Sequence, residues 1–137
     1  MYDIIACAMI HTIRLWDRIE NKQYCDESAE VFYNKNSMQI TVKSDPYIFI
    51  WKLYEKGLVV QSRSSVQVLL TLKENTVTRG RIETEFGHIP LECCLFLYKI
   101  EKDYVEIKYE IRQGSHSQLF HFSMEIEGGH LCQLKWN

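Results

Sequence analysis

Arg63 is the residue whose type and setting point most directly to chemistry. It follows the largely apolar residues 58–62 and precedes another apolar segment. A guanidinium that faces an apolar interior requires a carboxylate or a bound anion as its partner. Arg63 is therefore a candidate for binding the acid group of a small ligand. The alternatives are a structural ion pair with an interior glutamate and a position in a surface loop.

Two rows of charged side chains form a second candidate, because each row shares one face of an alternating segment. The rows consist of Arg79, Arg81, Glu83 and Glu85, and of Glu106, Lys108, Glu110 and Arg112. If such rows lined a tunnel, carboxylates could hold a metal ion and basic groups a phosphate. Tunnel enzymes that hydrolyse triphosphates carry Glu-x-Glu-x-Lys near the N-terminus, and this sequence lacks that pattern. We therefore expect an outer wall with cross-strand ion pairs; a phosphate-hydrolysing tunnel enzyme is the remote alternative.

The sequence contains none of the common metal, nucleophile or cofactor motifs. The five histidines lack paired ligand spacing, and the five cysteines are odd in number without a Cys-x-x-Cys pair. Neither a zinc site nor a disulfide framework is expected from such usage. No Gly-x-Ser-x-Gly, P-loop or dinucleotide fingerprint occurs either. We expect no catalytic residue, no metal and no cofactor, and a non-enzymatic role is favoured.

Charge and the N-terminal residues bear on partners and compartment. The formal net charge is −2, and no run of lysine and arginine offsets it, so neither nucleic acid nor a membrane is an expected partner. The apolar run at residues 4–10 is too short to span a bilayer. Asp3 stands where a signal peptide has basic residues. These features favour a cytoplasmic protein.

The elements that must position these residues are β-strands. Residues 103–126 alternate apolar and polar side chains on both sides of a Gln-Gly-Ser turn, which is typical of an antiparallel hairpin with one dry face. Similar segments recur with turn signals at roughly 8–12-residue intervals. We expect residues 1–137 to form a single all-β domain, an antiparallel calycin- or lipocalin-like barrel of about eight to ten strands. A sandwich is the competing architecture.

Individual segments carry their own expectations. Residues 2–16 are expected to form a strand rather than a helix, with either Ile4, Ala6, Ala8 and Ile10 or Ile5, Cys7, Met9, Ile13 and Leu15 on the dry face. The polar residues 17–28 indicate a turn or a loose loop. Pro90 indicates a sheet edge or a bulge. The tail at residues 130–137 could lie across an opening of the barrel.

Three segments carry a diffuse family pattern: residues 84–92 (Thr-Glu-Phe-Gly-His-Ile-Pro-Leu-Glu), residues 105–111 and residues 122–129, which end in Gly-Gly. Together with the spacing of Arg63, Thr84 and Gly87, they resemble the YwiB-like family of small bacterial proteins of unknown function. The resemblance covers essentially the whole chain and implies a calycin-like barrel in a bacterial cytoplasm. It implies no reaction. Ser65 stands where that pattern has a glycine, so a tight-turn role is not carried over.

Two further hypotheses stand beside the tunnel enzyme. The preferred one is a binding protein for a small, largely apolar molecule with an anionic group. Its expected ligand-binding residues are Arg63 for the acid group and Trp51, Tyr109, Phe120 and Phe122 for the apolar part. The alternative is a filled barrel that serves as a structural or interaction module, with a homodimer formed through an exposed strand or an aromatic patch. The first strand motivates this alternative, because its second apolar face needs covering.

Overall fold

The described residues form a closed barrel of ten antiparallel strands. The structure is a computed structural model that describes residues 7–44 and 46–127. The strands are β1 (Cys7–Asp17), β2 (Lys22–Tyr33), β3 (Met38–Ser44), β4 (Tyr47–Leu53), β5 (Gly57–Arg63), β6 (Gln67–Lys73), β7 (Val77–Thr84), β8 (Gly87–Glu101), β9 (Tyr104–Gln113) and β10 (His116–Glu127). Each strand pairs with its neighbours along the chain, and β1 pairs with β10 to close the ring. The expected all-β antiparallel barrel is confirmed.

The barrel forms because alternate positions along each strand are apolar and face inwards. In β1, Ile13 and Leu15 are buried whereas Ile10 is 75% exposed, so at these positions the second of the two expected dry faces is correct. The remaining residues of both faces lie outside the side chains that the structure describes. In the β9–β10 hairpin, Ile107 and Met124 are fully buried. None of the described residues forms a helix that is long and apolar enough to cross a lipid bilayer.

Residues 22–28 are a correction to the sequence analysis, because they belong to strand β2 and not to a loop. The turn covers only residues 18–21, and β2 pairs with β1 from Lys22 opposite Asp17 to Tyr33 opposite Cys7. Pairing with β1 satisfies the backbone hydrogen bonds of this segment whatever its side chains are. Polar composition therefore predicted a loop where a neighbouring strand imposes extended backbone.

Pro90 lies in a part of β8 that has a partner on one side only. It is opposite Arg81 of β7, whereas pairing with β9 begins at Glu92. The missing N–H group therefore needs no partner on the β9 side, as expected for a local sheet edge. The register shift in β8 lies further on, between Leu95 and Leu97. Expectations for residues 2–6 and 128–137, including the tail, fall outside the described residues.

The two ends of the barrel differ in how they are filled. The end that carries the β2–β3, β4–β5, β6–β7 and β8–β9 turns is named the closed end here, and the opposite end is named the open end. Inward side chains near the closed end, among them Met38, Leu53, Leu72, Val105 and Ile126, are fully buried. At the open end the inward side chains leave space between them.

Candidate ligand-binding site

A cavity of about 590 Å³ occupies the open end of the barrel. Strands β1 and β4 to β10 contribute its wall. The inward side chains that form the wall are Leu15, Phe49, Trp51, Val60, Ser62, Val68, Leu70, Ile82, Leu91, Tyr109, Ile111, Phe120 and Phe122. The volume lies within the range of about 300–1,000 Å³ that small-molecule sites occupy.

The cavity exists because small residues stand at inward positions near the mouth. On β5 and β6 these residues are Ser62 and Val68, and the bulky rings of Tyr109, Phe120 and Phe122 come from strands on the other side of the barrel. A serine and a valine do not reach across the space to those rings. The open end therefore stays partly unfilled.

Four of the five predicted ligand-binding residues meet in this cavity. The Tyr109 and Phe120 rings are stacked with centroids 5.2 Å apart, and the Phe120 and Phe122 rings are stacked at 6.3 Å. Trp51 meets Phe122 edge-on at 6.5 Å. Such offset and edge-on pairs are favourable ring geometries. They hold one side of the cavity in a defined shape.

Arg63, the fifth predicted residue, lies elsewhere. It is the last residue of β5 and is exposed. Because Val60 and Ser62 face inwards and side chains alternate along a strand, Arg63 lies on the outer face, and it does not line the cavity. The structure therefore does not bring its guanidinium together with the aromatic side chains.

The charged rows also lie on the outer wall. Arg81 and Glu83 form an ion pair at 2.6 Å, as do Arg112 and Glu110. Both pairs join residues two apart on one strand instead of crossing between strands. The cavity lining contains no aspartate, glutamate, lysine or arginine. A charged tunnel through the barrel is therefore excluded for the described residues, which removes the structural basis for the phosphate-hydrolysing alternative.

A cluster of polar side chains crosses the outer faces of β9 and β10. His121 Nε2 contacts Glu106 Oε2 at 2.5 Å, and the Tyr104 hydroxyl donates to Glu106 Oε1 at 2.9 Å. Arg18 Nε donates to Ser123 Oγ at 2.7 Å. The hydrogen bond from His121 holds the pKa of the Glu106 carboxyl below its usual value. This cluster ties the β1–β2 turn and two strands together on the surface.

Cys93 and Tyr109 are titratable groups in the interior. Burial, with the neighbouring Cys94 as a smaller cause, raises the pKa of the Cys93 thiol to about 11. The thiol is therefore protonated at neutral pH and is a poor nucleophile. Burial also raises the pKa of the Tyr109 hydroxyl, which stays neutral. Among the described residues no group of histidine, cysteine and carboxylate side chains is arranged to hold a metal ion.

The sequence analysis missed several residues of the site. Phe49 and Ile111 line the wall, and Gln113, His116 and Gln118 lie at the mouth, beside the β9–β10 turn. Ile111 lies on the dry face that was expected for the hairpin at residues 103–126, although it was not named as a ligand-binding residue. Phe49 stands two residues from Trp51, so strand parity could have identified it. No comparable signal marks the polar residues at the mouth, because any exposed turn has a similar composition.

Comparison with known proteins supports the fold. The structure is similar to the crystal structure of the ywiB protein from Bacillus subtilis, with a TM-score of 0.61 and 13% sequence identity over 88% of this chain and 92% of that chain. No protein-family model matches the sequence, and no curated protein matches it. At this level of identity the likeness shows the fold alone, and the chain has a YwiB-like fold.

Proposed function

We propose that the protein is a non-enzymatic binding protein that holds a small, largely apolar molecule in the open end of a calycin-like barrel, in the bacterial cytoplasm. The observation that carries the proposal is the cavity of about 590 Å³ with its apolar and aromatic wall. The proposed ligand needs no acid group, because Arg63, which was expected to bind one, lies on the outer face.

The free energy for such binding comes from removing water from apolar surface. At about 30 Å³ for each water molecule, a cavity of 590 Å³ has room for on the order of 20 waters. Few hydrogen-bonding groups are available to those waters along the apolar wall. A ligand gains about 5 kcal/mol for each 200 Å² of apolar surface that it removes from water, before the costs of association.

A blocking variant tests the proposal. In Val68→Trp an indole would occupy the cavity, since Val68 lines it. The matched control is Val77→Trp, because Val77 is 57% exposed near the closed end. Binding is measured as the fluorescence of the neutral dye Nile red, and circular dichroism shows that each variant is folded.

We expect saturable dye binding to the wild type and to Val77→Trp, with at least tenfold weaker binding to folded Val68→Trp. Native mass spectrometry of gently purified protein is expected to show bound small molecules that the blocking variant loses. Absence of saturable binding to the wild type, or equal binding to both tryptophan variants, would contradict the proposal.

A second candidate function is a protein-interaction module that forms a homodimer through the outer face of β1. The observation that favours it is Ile10, whose side chain is 75% exposed on β1, at a position that pairs with Glu30 of β2. Sedimentation velocity over a range of concentrations tests this candidate. A dimer that Ile10→Lys dissociates would support it, and a monomer at every concentration would contradict it.

A further inference from the structure

We propose that the ligand is uncharged and that it carries one hydrogen-bonding group that pairs with the hydroxyl of Tyr109 inside the cavity. This inference rests on the proposed function and adds the chemical class of the ligand. It follows from two properties of the cavity: one buried polar group without a protein partner, and a lining that lacks charge.

Tyr109 is only 4% exposed, yet no hydrogen bond joins its hydroxyl to another described residue. Among the described residues, every side-chain nitrogen or oxygen that is fully removed from solvent has a hydrogen-bond partner. The Tyr109 hydroxyl must therefore keep contact with the space of the cavity that its side chain lines. Buried tyrosine hydroxyls usually have a hydrogen-bond partner, so we infer that the partner of the Tyr109 hydroxyl is a water molecule or a group of the ligand.

The same cavity disfavours a charged ligand group. No aspartate, glutamate, lysine or arginine lines it, and the one titratable lining group besides Tyr109 is His116, which is exposed at the mouth. The buried carboxylate of Asp17, which acts on Tyr109 from outside the lining, accepts hydrogen bonds from the backbone N–H groups of Ile19 and Glu20. Placing an ionised group in an apolar environment without a counter-charge is strongly unfavourable. A ligand whose polar group lies inside the cavity is therefore expected to be neutral.

Tyr109 should therefore select among ligands of equal apolar size. A pure hydrocarbon that displaces the water beside the hydroxyl leaves this group unpaired, and the unpaired group weakens binding by about tenfold or more. A molecule with a hydroxyl, ester or amide group at that depth restores the hydrogen bond. The expected class is thus neutral and amphipathic, such as a long-chain alcohol, ester or amide.

The experiment measures displacement of Nile red by three compounds of equal chain length: a normal alkanol, the alkane and the alkanoate. They are tested on the wild type, on Tyr109→Phe and on the control Tyr54→Phe, whose ring lies at the closed end. We expect the alkanol to displace dye from the wild type and from the control at about tenfold lower concentration than the other two. In Tyr109→Phe the advantage of the alkanol over the alkane is expected to disappear.

The outcomes separate the two proposals. If dye binds but the alkanoate matches or exceeds the alkanol, or if Tyr109→Phe keeps the preference for the alkanol, the inference about ligand class is overturned while the proposed function stands. If no dye binds to the wild type, both are overturned. Should Tyr109→Phe not fold, the ranking of the three compounds on the wild type still decides between a neutral and an anionic ligand.

Discussion

Leu70 and Leu72 provide a direct test of the difference between the open and closed ends. Both belong to β6, both face inwards, and they are 1% and 0% exposed. Leu70 borders the cavity, whereas Leu72 does not. A leucine-to-alanine change in a packed core loses the transfer free energy of the side chain and also creates a new cavity, with a total cost of about 3–5 kcal/mol.

For Leu72→Ala we expect a cost of about 3–4 kcal/mol, because the surrounding closed end is filled. For Leu70→Ala the expected cost is about 2 kcal/mol, close to the transfer free energy of the methine and methyl groups that are lost, because an existing space is enlarged and no new one is made. Equilibrium unfolding in urea, followed by tryptophan fluorescence, gives both values. Equal costs for the two variants, or a larger cost for Leu70→Ala, would refute the distinction between the ends.

Three further predictions concern other parts of the barrel. In Gly80→Ala the new Cβ would lie 2.8 Å from the main-chain oxygen of Leu69, so we expect a loss of about 1–3 kcal/mol in urea unfolding; an unchanged midpoint would contradict this. The hydrogen bond from His121 lowers the pKa of Glu106 below its ordinary value of 4.5. The ionised Glu106 carboxylate should therefore contribute about 0.5 kcal/mol to the free energy of unfolding above pH 4.5, and this contribution should disappear as the pH falls through the lowered pKa. Wild type should therefore exceed Glu106→Gln in thermal stability at neutral pH but not at pH 3, a trend that a constant difference would disprove. Iodoacetamide at neutral pH should modify Cys93 only after unfolding, since its pKa is about 11; peptide mapping that finds rapid labelling of the folded protein would oppose this.

Much of the fold could be predicted from side-chain alternation, and the β9–β10 hairpin shows why. Ile107 and Phe122 stand opposite each other in the register, and both face inwards as their parity predicts. Alternation is a local property of the sequence, so the sequence reveals it directly. Alternation does not predict the first part of β2, because the polar residues 22–28 are extended only through pairing with β1.

The cavity could be predicted only in part. Trp51 and Tyr109 were expected to contact the apolar part of a ligand, but whether inward side chains meet depends on their sizes across the whole barrel. The cavity stays open because Ser62 and Val68 are small, and these residues lie far in the sequence from the aromatic residues of β9 and β10 that they face. The outward position of Arg63 depends on the parity of a strand that ends at this residue, and the sequence left that parity open.

Closure of the barrel through β1 and β10 has a consequence for how the chain folds. Ile13, near the start of the described residues, pairs with Ile126, near their end. Contacts between residues so distant in the sequence form slowly. During synthesis the first nine strands can pair in order while β1 waits for β10 to leave the ribosome. Until then the growing sheet has two unpaired edges, which are sites for aggregation.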